Sequence, residues 1–434
     1  MNKIIDFPSW ISFQEENSFN DIAWLCVFRE KERKAFIKNG LPTKKNERFK
    51  YSDFSFLNKK KFVNANVSLH DEVTLKQRID HYRLSEESIL LIFLNGHFCS
   101  SLSEIHSLPA GVVMCSLSEA LKKQEALVKK YFKKHWHDDI HTARYPFASL
   151  NAAFFSDGLF FYLQDQCEIT KPIHLLFIAT DEHEFASHPH HVIVLGKKSK
   201  ATIFQDHVAL SASSYLMNAV TSIDLGEESQ LTHYKIQNES QSAIHFATTF
   251  VYQAKESKAA FFNFSLGGLF SRDDLIVQLQ AERSHCELLG FYRLNQDDQY
   301  VDHHIEMEHS APYCTSEMLY KGILDQKSRA VFNGRLVVKQ GAEKTIAYQG
   351  NHHLLLSKEA ESYSKPELEI YADEIKCKHG ATTGQLNHDM LFYLQSRGIP
   401  QEEAKRMLLE GFSEEIIQRI SHPAIQKSIE ARLK

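Results

Sequence analysis

The sequence predicts a mainly β protein whose core is flanked by helical ends, and three observations carry that prediction. Between about Asn151 and Cys377 helical periodicity nearly disappears, and short strand-like runs alternate with polar turns. Within that stretch a turn motif recurs, in which two polar or charged residues precede a Ser and one polar residue follows before a small or apolar one opens a run. It reads Lys197-Lys198-Ser199-Lys200-Ala201, Glu227-Glu228-Ser229-Gln230-Leu231, Lys255-Glu256-Ser257-Lys258-Ala259, Glu282-Arg283-Ser284-His285-Cys286 and Gln326-Lys327-Ser328-Arg329-Ala330, with serines 30, 28, 27 and 44 residues apart. Finally, 30 Phe and 16 Tyr against 7 Met favour packed sheet over a helical bundle. A recurrence of about 28 residues without helices suggests solenoid coils, each covering the open face of the last. A long β-sandwich fits the same pattern, because polar-Ser turns are common.

Residues 1–140 are expected to be mostly helical. Met1-Asn2-Lys3-Ile4-Ile5-Asp6 turns acidic and meets Pro8 at once, which predicts no secretory or transit segment and a cytoplasmic protein. Asn20 or Asp21 can cap a helix carrying Ile22, Leu25, Cys26, Phe36 and Ile37, which Asn39-Gly40 and Pro42 end. A strand-like patch at Ser88–Leu94 runs into Asn95-Gly96, and a basic helix follows from Leu121 to Lys134. The boundary is placed near His135 to Tyr145. Residues 141–380 are the β core, with strand-like runs at His191–Leu195, Thr202–Phe204, Phe246–Tyr252 and Leu336–Val338. Residues 381–434 read as short helices. Asn387 caps His388–Arg397, Gly398 stops it, Pro400 stands near the next start, Ser413 before Glu414-Glu415 opens a third, and Pro423 breaks the tail.

Composition excludes several classes. The formal net charge of −5 argues against an electrostatically driven nucleic-acid binder, and the lysines of Leu121–Lys134 read as a solvated helix face. The longest apolar run, Ile89 to Leu94, is too short to span a membrane. Seven scattered cysteines form no disulfide framework and suit a reducing compartment. There is no G-x-x-x-x-G-K-[ST], G-x-G-x-x-G, H-E-x-x-H, C-x-x-C or G-x-S-x-G, so no nucleotide loop or hydrolase motif is present. A polysaccharide-active solenoid enzyme would need clustered carboxylates; Asp273-Asp274 and Asp297-Asp298 are the candidates, and the missing secretion signal counts against it. A free-standing metal or flavin binder is the other alternative.

Twenty-four histidines are many. The doublets His190-His191, His303-His304 and His352-His353 cannot chelate as pairs if they lie on strands, since neighbours point to opposite faces. His183, His188 and His190 form a looser cluster around Pro189. The most informative pair is Cys377 and His379. Leu368, Ile370 and Ala372 alternate as on a half-buried strand, the phase slips across Asp373-Glu374, and Ile375, Cys377 and His379 then share a face. Thiol and imidazole would stand about 6–7 Å apart along it. Lys376 and Lys378 project to the other face, so their field lowers the thiol pKa only modestly. After Gly380 and Gly384 the period becomes that of a helix.

The segment KPELEIYADEIKCKHGATTGQL followed by LFYLQSRGI resembles the carboxy-terminal signature of the SufB/SufD family of iron–sulfur cluster assembly scaffolds, with Cys377-Lys378-His379-Gly380 similar to its SufD branch. Gly40-Leu41-Pro42-Thr43 with Asn46-Glu47-Arg48-Phe49-Lys50-Tyr51 resembles the family's amino-terminal box, where Phe49 is usually Trp, and Phe332 to Ser357 is similar to the segment upstream of the signature. The resemblance implies a right-handed parallel β-helix with helical ends. It implies a non-catalytic scaffold that pairs with a SufB-like paralogue and docks a SufC-like ATPase on its C-terminal helices, at Leu391, Phe392, Leu394, Arg397, Met407 and Leu408. Homodimerisation is left open. It also implies that His379, and with less support Cys377, contributes to a nascent cluster shared with the partner, His379 being the transient metal ligand. A cluster usually takes about four thiolate-type ligands, and this site offers one thiol. No cofactor is therefore expected to be held stably by this chain alone. Reduced flavin accompanies family complexes, but nothing in the sequence locates a flavin site.

Overall fold

The computed structural model describes residues 19–433 apart from 20, 66–71, 86, 106–107, 135–143 and 181–182. The opening hexapeptide, Asn20 and the 140/141 boundary lie outside the described residues. Two long sheets run along the molecule, one of eleven strands and one of ten. From Lys200 onward successive strands alternate between the sheets, and each pairs in parallel with the strand two places later. This is a parallel β-solenoid of about seven turns. A sandwich of sequential hairpins would need antiparallel neighbours, so that alternative is excluded.

The polar-Ser motif is one corner of the coil. Lys198, Glu228, Glu256, Arg283, Tyr313, Lys344 and Glu374 all adopt left-handed backbone, with φ between 52° and 61°. From Lys198 to Lys344 each donates its N–H to a carbonyl in the next corner at 2.8–3.3 Å, so the corners themselves form a ladder. The hydroxyls of Ser199, Ser229, Ser257 and Ser284 donate to the carbonyl three residues earlier at 2.7–2.9 Å, which satisfies a buried group at each turn. The next two corners carry Cys314 and Thr345, and Thr345 repeats the contact at 2.8 Å to Ala342. Ser328 does not belong to this column. It precedes strand Arg329–Val338 of the other sheet, so the interval of 44 residues was not a coil.

Inside the coil an apolar column runs from Leu91 and Phe177 through Ile203, Leu231, Leu288 and Met318 to Ala347 and Ala360. Large and small residues alternate between neighbouring coils. Gly290 pairs with Tyr320 and Gly322 with Tyr292. A Cβ on either glycine would lie 2.0–2.1 Å from the facing ring, so the two tyrosines fit only because the glycines face them.

The N-terminal region is more than helix. Strand Ile89–Leu94 extends the ten-stranded sheet parallel to Ile173–Ala179, and Val112–Ser116 joins the other sheet antiparallel to Leu159–Leu163. Asn95 and Gly96, both at positive φ, turn the first of these into His97–Phe98. Helix Ala23–Asn39 is preceded by Ile22 with no side-chain cap, so Asp21 does not serve as one, and Gly40 ends it at φ 67°. The basic helix is two, Leu117–Lys123 and Glu125–Lys134, broken at Gln124. Together these elements cover the first coil, as a terminal repeat must be covered.

At the other end, strand pairing continues through Gln385 before any helix begins. Asn387 caps His388–Ser396 by accepting from the Met390 N–H at 3.0 Å, and Gly398 follows at φ 86°. Helix Gln401–Ile417 runs straight through Ser413, whose hydroxyl donates back to Glu410 at 2.9 Å instead of capping a new helix. The third helix is Pro423–Leu433. Ile416, Ile417 and Ile420 are buried against Tyr234, Phe262 and Phe291 on the outside of the ten-stranded sheet, so this stripe belongs to the protein's own core. No described helix is long and apolar enough to cross a membrane.

Candidate functional site: the open end of the solenoid

The two last strands, Glu361–Ile370 and Lys376–Gln385, are the free edges of the two sheets. What sequence periodicity suggested as one strand with a phase slip is two strands in different sheets, joined at a corner by Glu374 in left-handed backbone. Cys377 lies in register with Ala347 and His379 with Gln349, both of which are buried in the preceding coil. Cys377 and His379 therefore share the inward-facing side, as the period of two predicts, but among the described residues no further coil covers them. His379 is exposed, and Cys377 is half-buried against the end of the apolar column. Burial pushes the Cys377 thiol up, opposed by a backbone hydrogen bond at Ala347. Lys376 and Lys378 lie on the other face and their field does not offset the desolvation, in line with the modest effect expected of them. The thiol is not pre-ionised.

Next to this end, helix His388–Ser396 buries none of its residues. Phe392 is 72% exposed, and Met390, Tyr393 and Met407 are exposed as well. Leu391, Leu394 and Leu408 are half-buried, and Arg397 stacks on Tyr393 with its charge 5.1 Å from the ring centre. Apolar side chains left uncovered beside an unpaired sheet edge are what a docking surface looks like.

The amino-terminal box clamps the outside of the eleven-stranded sheet near the same end. Asn46 accepts from the Arg48 N–H at 3.0 Å, placing Arg48 between Asp274, at 2.8 Å, and Glu306. Phe49 is buried, with the Arg272 guanidinium 4.4 Å from its ring centre. Arg272 forks onto Asp274 with two contacts of 3.0 Å and reaches Asp302 at 2.5 Å. Lys365 on the last coil reaches back to Glu47 at 2.9 Å.

Asp273 and Asp274 face opposite sides of their strand, Asp273 toward Lys235 at 3.0 Å and Asp274 toward Arg272 and Arg48. Both are buried, and Asp298 sits in a corner at φ 60°. Asp273 and Asp274 therefore form no paired catalytic carboxylates. The histidine doublets split as expected. His303 lies by Tyr292 and Tyr320 inside the coil, while His304 contacts Asp302 at 2.9 Å. His183, His188 and His190 do not come together as a ligand group among the described residues; His188 bonds Asn218 and His190 bonds Asn151. Sequence reasoning missed the polar interior of the first coils, which is built from His207, His233, Gln237, Glu239 and His245. No local pattern announced it, because His207 and Gln237 come into register only when the coils stack.

With this geometry in place, family models decide the membership. Residues 177–412 match the SUF system FeS cluster assembly, SufBD core domain, and residues 14–175 match the SufBD protein N-terminal region. The chain belongs to the SufBD family. It is similar to an iron–sulfur cluster assembly SufBD family protein of Synechocystis, 32% identical over 89% of this chain and 85% of the relative. It is also similar to the iron–sulfur cluster assembly protein SufD of Escherichia coli, 29% identical over 92% of this chain and 89% of that protein. The Bacillus subtilis protein of the same name is 23% identical over 94% and 96%. This SufBD protein is SufD-like, and the solenoid accounts for most of the core match.

Proposed function

We propose that this SufBD protein is a non-catalytic scaffold subunit of an iron–sulfur cluster assembly complex, whose open coil end pairs with a SufB-like subunit. The observation that carries the reading is the termination of both sheets at unpaired edges with Cys377 and His379 on the uncovered inner face. Pairing would continue the ladders across the interface and place His379 beside ligands from the partner. One exposed imidazole and one half-buried, protonated thiol cannot hold a cluster alone, which favours a shared and transient site. His379 is the metal-facing residue of the pair, and Cys377 is a packing neighbour that becomes a ligand only on losing its proton. The exposed apolar face of His388–Ser396 with Arg397 and Met407 would dock a SufC-like ATPase, which supplies the nucleotide site this chain lacks.

The test is anaerobic cluster formation in the reconstituted complex, supplied with ferrous iron and sulfide and followed by visible absorption. His379→Ala is expected to lower the yield at least tenfold with subunit association intact, and Cys377→Ala to lower it less. Full cluster yield in an intact His379→Ala complex would remove the role assigned to His379.

A further inference from the structure

A second ligand group is buried in the first coils, at the end of the solenoid remote from His379. His207 near the end of strand Lys200–Ala209, Glu239 just past strand Gln230–Asn238 and His245 at the start of Ile244–Gln253 converge there. One ligand atom from each lies within 4.8 Å of the other two, and all three residues are buried. Stacking explains the convergence. His207 pairs in register with Gln237, Glu239 comes two residues later, and His245 enters from the facing sheet.

An ordinary buried ion pair does not account for the arrangement. His245 Nδ1 pairs with a Glu239 oxygen at 2.7 Å, but that pair leaves other buried polar atoms around it unanswered. Nδ1 of His207, Nε2 of His245 and Oε1 of Gln237 are buried without a hydrogen-bond partner. Orphaned buried polar atoms are costly, and three around one carboxylate call for an unmade contact. The groups behind them are already held in place. The Tyr215 hydroxyl donates to Glu239 at 3.0 Å, Gln237 Nε2 donates to its other oxygen at 3.0 Å, and Gln205 holds His207 Nε2 at 2.8 Å. Such outer partners are what orient metal ligands. If the Gln205 amide is turned, its oxygen accepts from His207 Nε2–H and leaves Nδ1 free to coordinate.

We propose that His207, Glu239 and His245 bind one divalent first-row transition ion. Two imidazoles and a carboxylate suit zinc or ferrous iron. Bonds of about 2.0–2.1 Å in tetrahedral geometry separate ligand atoms by about 3.3 Å, so the 2.7 Å His245–Glu239 pair opens slightly to admit the ion. The unpartnered side-chain carbonyl of Gln237, whose amide nitrogen bonds the carboxylate, is a further oxygen donor for the ion. Because the site is enclosed, the ion is taken up as the coils close and stabilises their packing.

The experiment uses the full chain, stripped with a chelator in mild denaturant and returned to native buffer with zinc chloride or cobalt chloride. Wild type is expected to retain one equivalent of zinc after desalting, to show the d–d absorption of a nitrogen- and oxygen-ligated cobalt ion, and to unfold at higher temperature with zinc than without. Glu239→Gln and His207→Gln are each expected to weaken retention at least 100-fold, Tyr215→Phe by about 10–100-fold, and His379→Ala not at all. Wild type that retains no stoichiometric metal and gains no thermal stability from zinc would overturn the proposal, even if the site variants fail to fold. Equal retention by folded Glu239→Gln and His207→Gln, or loss in His379→Ala instead, would overturn it as well.

Discussion

Lowering the pH from 7 to 5 is expected to unfold this protein, well before its carboxylates are protonated. Burial pushes His188, His190, His191 and His233 down to about 3, and His303, His309 and His353 down to about 4. An unfolded histidine titrates near 6.5. Between these values the unfolded chain binds protons that the folded one refuses, so stability rises with pH across that window and falls as pH drops through it. At pH 5 each such ring costs about 2 kcal/mol relative to neutral pH. Even half the sum over these rings is comparable with the whole stability of a typical domain, about 5–15 kcal/mol. The carboxylates do not offset the loss. For Asp302 burial acts upward, but Arg272 and His304 outweigh it and hold the group below the usual range. Asp273, Asp274 and Glu239 are also held low, and they add their own losses only at lower pH. Far-UV circular dichroism and tryptophan fluorescence from pH 7.5 to 4.5 should therefore show a cooperative transition above pH 5. A structure that stays intact down to pH 4.5 would mean that the buried rings are solvated or paired.

The second large effect is expected at Arg272. It is 1% exposed, forks onto Asp274, reaches Asp302 and lies over Phe49. Arg272→Met removes the cation and leaves two buried carboxylates, Asp302 with only Ser52, Tyr300 nearby and His304, and Asp274 with Arg48. Breaking one partner out of a buried ion pair costs about 3–5 kcal/mol. Urea unfolding is expected to show that loss, and the amino-terminal box around Phe49 should become protease-sensitive first. Asp302→Asn in the Arg272→Met background should recover part of the loss. If the double variant is no more stable than the single one, the stranded charge is not the cause, and lost packing on Phe49 is.

The coil was legible in the sequence because its corner needs a left-handed residue followed by a small hydroxyl, and Ser199, Ser229, Ser257 and Ser284 declare it. The signal faded where Thr345 did the same work with a different side chain and Cys314 took the corner without that contact, and Ser328 imitated it on the opposite corner. The shared face of Cys377 and His379 was legible from a period of two. Their exposure was not, because it depends on the absence of a further coil, which no local pattern records. Ser413 misled because a Ser before two acids reads equally as a cap or as a helix interior bonding backwards. The His207–Glu239–His245 group was illegible because its members meet only through stacking between coils and across two sheets.

If the last coil pairs with a SufB-like subunit as proposed, its two edge strands are an unfinished interface. Amide hydrogen exchange of residues 361–385 measures this most directly, in the protein alone and with a SufB-like subunit added. The N–H groups that face outward from strands Glu361–Ile370 and Lys376–Gln385 are predicted to exchange fast in isolation and to gain strong protection in the complex. Stable complex formation with exchange at both edges unchanged would contradict it.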